Sequence, residues 1–95
     1  MINLDSEQVR QFCKKNYIRR LSLFGSFLHG RERPESDVDI LVEFVPGHEP
    51  GWDFFELQYQ LSAIVGRPVD LHTPNFLSRY FRDKILHEAK VYHDE

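Results

Sequence analysis

Asp37 and Asp39, one residue apart, stand eleven residues beyond a Gly25-Ser26 pair, and these four residues hold most of the chemistry that can be read in the chain. On an extended segment side chains alternate between faces, so the two carboxylates point the same way and can hold hard divalent cations between them. Gly25-Ser26 ends a short apolar run, Leu21 to Phe24, and offers exposed backbone N–H groups and one hydroxyl. Those donors suit the oxygens of a phosphate chain. A third carboxylate, Asp70, lies in Pro68-Val69-Asp70-Leu71-His72, which reads as another short strand. Together the residues describe a site for a metal-bound nucleotide.

The elements that must position them follow from the pattern of the chain. Leu4-Asp5-Ser6-Glu7-Gln8-Val9 is predicted to start a helix, with Asp5 as cap, Gln8 answering three residues later and Leu4 packed on Val9. That helix runs to about Asn16, with Val9, Phe12 and Cys13 on one stripe, so Cys13 reads as core rather than as a reactive thiol. Arg20 to Phe24 reads as a strand breaking at Gly25, and Ser26 to Gly30 as a short helix whose positive end would face bound phosphate. The polar stretch Arg31 to Ser36, with Pro34, reads as a solvated connection. Val38 to Phe44 is the clearest strand: Val38, Ile40 and Val42 face the core, and Asp37, Asp39, Leu41 and Glu43 face the site.

After a loop at Pro46 to Gly51, Trp52 to Val65 is predicted as a helix buried through Phe54, Leu57, Leu61 and Ile64 and closed by Gly66 in a left-handed cap. The aromatics of Trp52 to Tyr59 are expected mostly in the core, with a minority at an interface. Thr73-Pro74-Asn75 leads into a last helix of about fourteen residues through Leu77, Phe81, Ile85 and Ala89, with Val91-Tyr92 as a short terminal edge. The order is that of an α/β layer, a small sheet flanked by helices.

Composition narrows the function classes. At 95 residues the chain is expected to form one domain, 1–95, with no room for a second. Cys13 is the single cysteine, which excludes an intrachain disulfide and a zinc site built of several thiolates. A net charge of −3 argues against non-specific binding to nucleic acid. No basic leader or membrane-spanning run is evident, so a cytoplasmic setting without membrane contact is expected. The five histidines show no zinc spacing and most are expected to face solvent; His72, which shares a strand face with Asp70, is the exception to watch.

Gly25-Ser26, ten intervening residues, Asp37-Val38-Asp39, and Asp70 downstream resemble the minimal nucleotidyltransferases of the DNA polymerase β-like superfamily. The likeness extends over nearly the whole chain through element order and length. It implies that family's fold, a small mixed sheet flanked by helices, and transfer of a nucleotide from ATP assisted by two Mg²⁺ ions. The ions stabilise the attacking and leaving oxygens of an in-line displacement. By the same resemblance Asp37, Asp39 and Asp70 are the catalytic and metal-binding residues, and Gly25 and Ser26 hold the β- and γ-phosphates. In place of the arginines that many relatives carry directly after Gly-Ser, this chain has Phe27-Leu28-His29.

Many minimal members of that family are antitoxins paired with HEPN-domain ribonuclease toxins, and some adenylylate a toxin tyrosine. The resemblance therefore implies an adenylyltransferase antitoxin acting on a HEPN partner in a hetero-oligomer. The aromatic surplus, 14% of residues, fits a chain with an apolar docking face. A binding protein that silences its partner by occlusion, without catalysis, is the alternative. A small-molecule nucleotidyltransferase is the third reading, and it would need an acceptor-binding helical domain for which 95 residues leave no space. Taken without that spacing, Asp37-Val38-Asp39 also fits a polar strand entrance, and Ser26 also fits a helix cap.

Overall fold

The computed structural model describes every residue except Met1, Ile2, Glu32, Pro34 and Glu95. Pro34, expected in the solvated connection, thus lies outside the described residues. Helix α1 spans Glu7–Lys15, with Glu7 in its first turn and Lys14 and Lys15 in its last, each sign complementing the helix dipole. Its cap is Ser6 rather than Asp5: the Ser6 hydroxyl accepts from the Val9 N–H at 3.2 Å. Both residue types cap well, and the choice falls to the one whose oxygen sits three residues before a free helical N–H. Leu4 and Val9 are both buried in one cluster with Phe12 and Cys13, as the sequence pattern requires.

Strand β1, Ile18–Phe24, pairs antiparallel with β2, Val38–Phe44, and β2 pairs parallel with β3, Val69–His72. A parallel pair needs a crossover, and α2, Phe54–Val65, supplies it. Gly66 ends α2 at φ +82° with its N–H on the Ser62 carbonyl, the expected left-handed cap. Beyond β3, a single 3₁₀ turn at Pro74–Phe76 precedes α3, Arg79–Glu88. The last helix is therefore ten residues long and starts later than the apolar spacing suggested. Ser78 caps it, its hydroxyl accepting from Tyr80 N–H. The terminal edge is longer than Val91-Tyr92: β4, Lys90–Asp94, pairs antiparallel with β1 and gives the sheet order β3-β2-β1-β4.

One face of the sheet carries Leu21, Leu23, Val38, Ile40, Val42, Val69 and Leu71 against Val9 and Phe12 of α1 and Phe54, Leu57 and Leu61 of α2. Burying an aliphatic side chain such as Leu61 contributes about 1.5–3 kcal/mol. Strand β3 lies at a sheet edge, where its outward N–H groups would be unpaired. Side chains of α2 satisfy them: Val69 N–H donates to Ser62 Oγ and Leu71 N–H to Gln58 Oε1, each at 2.9 Å. This pins the register of the strand that carries Asp70. Among the described residues no helix is long and apolar enough to cross a membrane.

Candidate active site

The register of the sheet assembles the site. Asp39 pairs directly with Asp70 across the parallel β2–β3 ladder and with Phe24 across the antiparallel β1–β2 ladder. Three segments distant in sequence therefore meet at one corner: the turn after β1, the start of β2 and the middle of β3. His72, two residues beyond Asp70 on the same face, joins them. Its Nε2 lies 3.2 Å from Asp70 Oδ2 and 3.5 Å from Asp39 Oδ1. The atom is buried, and its approach to both oxygens is off the direction of a good hydrogen bond.

Electrostatics follow from that placement. The contact with Asp39 raises the pKa of His72 above its ordinary value, burial opposes the rise, and the charge of Asp70 adds to it. When protonated, the imidazole offsets the repulsion between the two carboxylates.

Gly25 fits closely against this cluster. Its φ of +80° is left-handed, and a Cβ built on it would run into Asp39 Oδ2 and sit 3.0 Å from the Asp39 Cγ. Only a residue without a side chain lets the backbone approach the carboxylate so nearly. The expected helix from Ser26 to Gly30 is absent. Leu28 and His29 N–H both close on the Gly25 carbonyl, Arg31 N–H closes on the Ser26 carbonyl, and Gly30 turns left-handed again at φ +68°. Between two left-handed glycines four residues remain, too few for helical hydrogen bonds to propagate. Among the described residues no helix starts at Ser26, so the donors for phosphate there are those of the turn itself. Helix α3 faces that turn across a cleft of about 300 Å³, where His29 Nε2 lies 3.5 Å from Glu88 Oε2.

The sequence-expected residues are not all brought together. Asp39 and Asp70 converge with His72, their ligating atoms within 4.8 Å of one another. Asp37 precedes β2, is exposed, and stands outside that group. Glu43 pairs with Arg20 at 3.4 Å, as suits surface charge. Two carboxylates and an imidazole form a donor set that fits a divalent cation, with the carboxylates supplying the hard oxygens Mg²⁺ prefers. The signal for His72 was its alternation with Asp70. Arg67, which contacts both the Gly25 turn and the segment entering β2, carried no signal.

Residues 6–93 match the nucleotidyltransferase domain family. The chain belongs to that family, and it is a nucleotidyltransferase. A Methanocaldococcus jannaschii protein, named provisionally as a protein adenylyltransferase, is 35% identical over 88 residues, 93% of this chain and 94% of its own length. Protein adenylyltransferase MntA of Thermococcus cleftensis is 36% identical over 74 residues, 76% of this chain and 72% of the relative. A structure described provisionally as a minimal nucleotidyltransferase superposes with a TM-score of 0.73 at 32% identity, covering 87% of this chain and 84% of its own. A toxin–antitoxin crystal structure with AMP-PNP has the same fold, with a TM-score of 0.75 at 21% identity and coverage of 93% and 72%. The small mixed sheet flanked by helices is the fold expected from the nucleotidyltransferase resemblance.

Proposed function

We propose that this nucleotidyltransferase moves AMP from ATP to a tyrosine of a HEPN-type toxin and thereby acts as its antitoxin. The observation that carries the reading is the convergence of Asp39, Asp70 and His72 with Gly25 packed on Asp39. Relatives named protein adenylyltransferases, and a like-folded antitoxin seen with a tri-AMPylated Shewanella oneidensis HEPN toxin, support it. The ATP substrate places the reaction in the cytoplasm, and residues 1–95 act as one domain.

Asp37, Asp39 and Asp70 would hold two Mg²⁺ ions, which supply charge stabilisation of the attacking and leaving oxygens and lower the pKa of the acceptor hydroxyl. The chain's own residues do the rest. Gly25 and Ser26 present backbone N–H groups and a hydroxyl to the β- and γ-phosphates, orienting the leaving group. Asp70 takes the acceptor proton in this reading, supported by its half-exposed position beside Asp39. His72 fixes both carboxylates in the ion-free protein.

Docking is supported by the aromatic surface. Contrary to expectation, only Phe54 among the aromatics of Trp52 to Tyr59 is core; Trp52, Phe55 and Tyr59 are 91%, 61% and 69% exposed. Phe55 and Tyr59 lie four apart on the outward side of α2, and Trp52 stands in the turn that leads into it. Trp52, Phe55 and Phe76 border a cleft of about 690 Å³ that includes none of the three converging residues. A surface of this kind suits a protein partner. It also favours the occlusion reading, in which docking alone silences the toxin.

The test is transfer of label from [α-³²P]ATP to a HEPN partner with Mg²⁺, beside an Asp39→Ala protein. Labelling by the parent and none by the variant is expected. Equal labelling by both overturns the catalytic reading.

A further inference from the structure

Arg67 lies between Gly66, which ends α2, and Pro68, whose carbonyl accepts from Val38 N–H at 2.9 Å, so its backbone is held from both sides. Its guanidinium carbon stands 4.8 Å from the centroid of the Phe27 ring. Nη2 donates to the Arg33 carbonyl at 3.3 Å and to the Ser36 carbonyl at 3.4 Å. These partners belong to two ends of one excursion. Phe27 follows Ser26 directly, and Ser36 precedes Asp37 directly. Arg67 itself is three residues before Asp70.

The Arg33–Ser36 turn is closed locally. Arg33 N–H donates to Ser36 Oγ at 2.8 Å, and Ser36 N–H to the Arg33 carbonyl at 2.9 Å. Both carbonyls of this small closed turn are turned toward Arg67. A guanidinium alone among side chains can stack flat on a ring and donate in its plane to two acceptors. An ammonium can do one or the other.

We propose that Arg67 is a positioning residue: it clamps the Gly25–Ser26 turn, through Phe27, and the approach to Asp37 and Asp39, through the Arg33 and Ser36 carbonyls, onto the strand that carries Asp70. The inference rests on the nucleotidyl-transfer reading only for its consequence on nucleotide; the clamp itself is a property of the free protein. Loosening it frees both ends of segment 25–37, so phosphate binding weakens while the core packed between α1, α2 and the sheet stays intact.

The test measures two quantities on the full chain. One is hydrogen exchange of amides 25–37 without nucleotide; the other is the Kd for α,β-methylene-ATP with Mg²⁺. Arg67→Met and Arg67→Lys are expected to speed exchange in that segment and to weaken Kd about tenfold, the lysine giving no rescue. Phe27→Leu should do the same, and the Phe27→Leu/Arg67→Met double variant should lose no more than either alone. Arg20→Met is the control. It removes ion pairs to Glu43 and Asp94 on the same sheet, lowering Tm without changing Kd.

Unchanged exchange in 25–37 overturns the clamp, and so does faster exchange with unchanged Kd. If the parent itself fails to bind the analogue, the nucleotide reading falls, and the exchange measurement alone decides the clamp. If Arg67→Met fails to fold, Phe27→Leu, which leaves the arginine in place, gives the same two readings.

Discussion

Replacing Gly25 with alanine perturbs two things at once, and the structure supplies the control that separates them. Gly25 and Gly66 have nearly the same backbone, φ +80° and φ +82°. Alanine in that left-handed region costs about 1–2 kcal/mol at either position. At Gly66 the new Cβ meets nothing within 4 Å, whereas at Gly25 it collides with the Asp39 carboxylate. Overpacking of this kind adds about 1–3 kcal/mol. Gly25→Ala should therefore destabilise by about 2–5 kcal/mol and Gly66→Ala by about 1–2. In a domain of this size each kcal/mol corresponds to about 4–8 °C in Tm, so the excess is readable by thermal melts. Asp39→Ala removes the carboxylate but leaves its Cβ 3.1 Å from the new atom, so it should rescue Gly25→Ala in part. A coupling of about 1 kcal/mol is expected in that cycle and none between Gly66 and Asp39. Because the collision moves Asp39, Gly25→Ala should also cut AMP transfer about 100-fold while Gly66→Ala leaves it intact. Equal losses of Tm at the two glycines, with no coupling to Asp39, would refute the close approach.

Three further outcomes are expected. His72→Ala removes the imidazole that contacts both Asp39 and Asp70, so its Tm in EDTA should fall by a few degrees, a small effect because Asp70 is half-exposed, and saturating Mg²⁺ should erase the difference; a deficit that persists in Mg²⁺ contradicts it. Trp52→Ser with Phe55→Ser should leave Tm within about 2 °C of the parent and abolish co-elution with the partner toxin, since both side chains are exposed in the free chain; retained co-elution places the docking surface elsewhere. Ser6→Ala should cost about 1 kcal/mol by urea unfolding and Asp5→Ala much less, and the reverse order would restore Asp5 as the cap of α1.

How far the sequence carried the fold depended on whether the deciding contact was local. Strand β2 and the inward stripe of α2 follow from periodicity, and Gly66 at the end of α2 from the need for a left-handed residue there. The meeting of Asp39 with Asp70 required the parallel register of β2 on β3, which is fixed by Ser62 and Gln58 reaching across from α2. No local pattern encodes that. The helix expected from Ser26 to Gly30 fails for a local reason, a left-handed glycine at each end of a four-residue stretch. The failure at Trp52 to Tyr59 has no such local cause. Phe54, Leu57 and Leu61 lie on one face of α2 and Phe55 and Tyr59 on another, with Trp52 in the turn before the helix, and only the docking of α2 on the sheet decides which face is buried. Asp37 immediately precedes β2, which begins at Val38, so strand alternation alone does not fix where its carboxylate points. Arg67 lay beyond sequence reasoning because its partners are a ring and two carbonyls some thirty to forty residues away.

Covalent modification of the partner through the Asp39 corner is the central claim. Intact mass spectrometry of a co-expressed HEPN partner, after incubation with this protein, ATP and Mg²⁺, measures that directly. One or more added AMP units are expected, mapped by peptide fragmentation to tyrosine and absent with Asp39→Ala. A partner that is bound and silenced at unchanged mass would contradict that claim and leave occlusion as the mechanism.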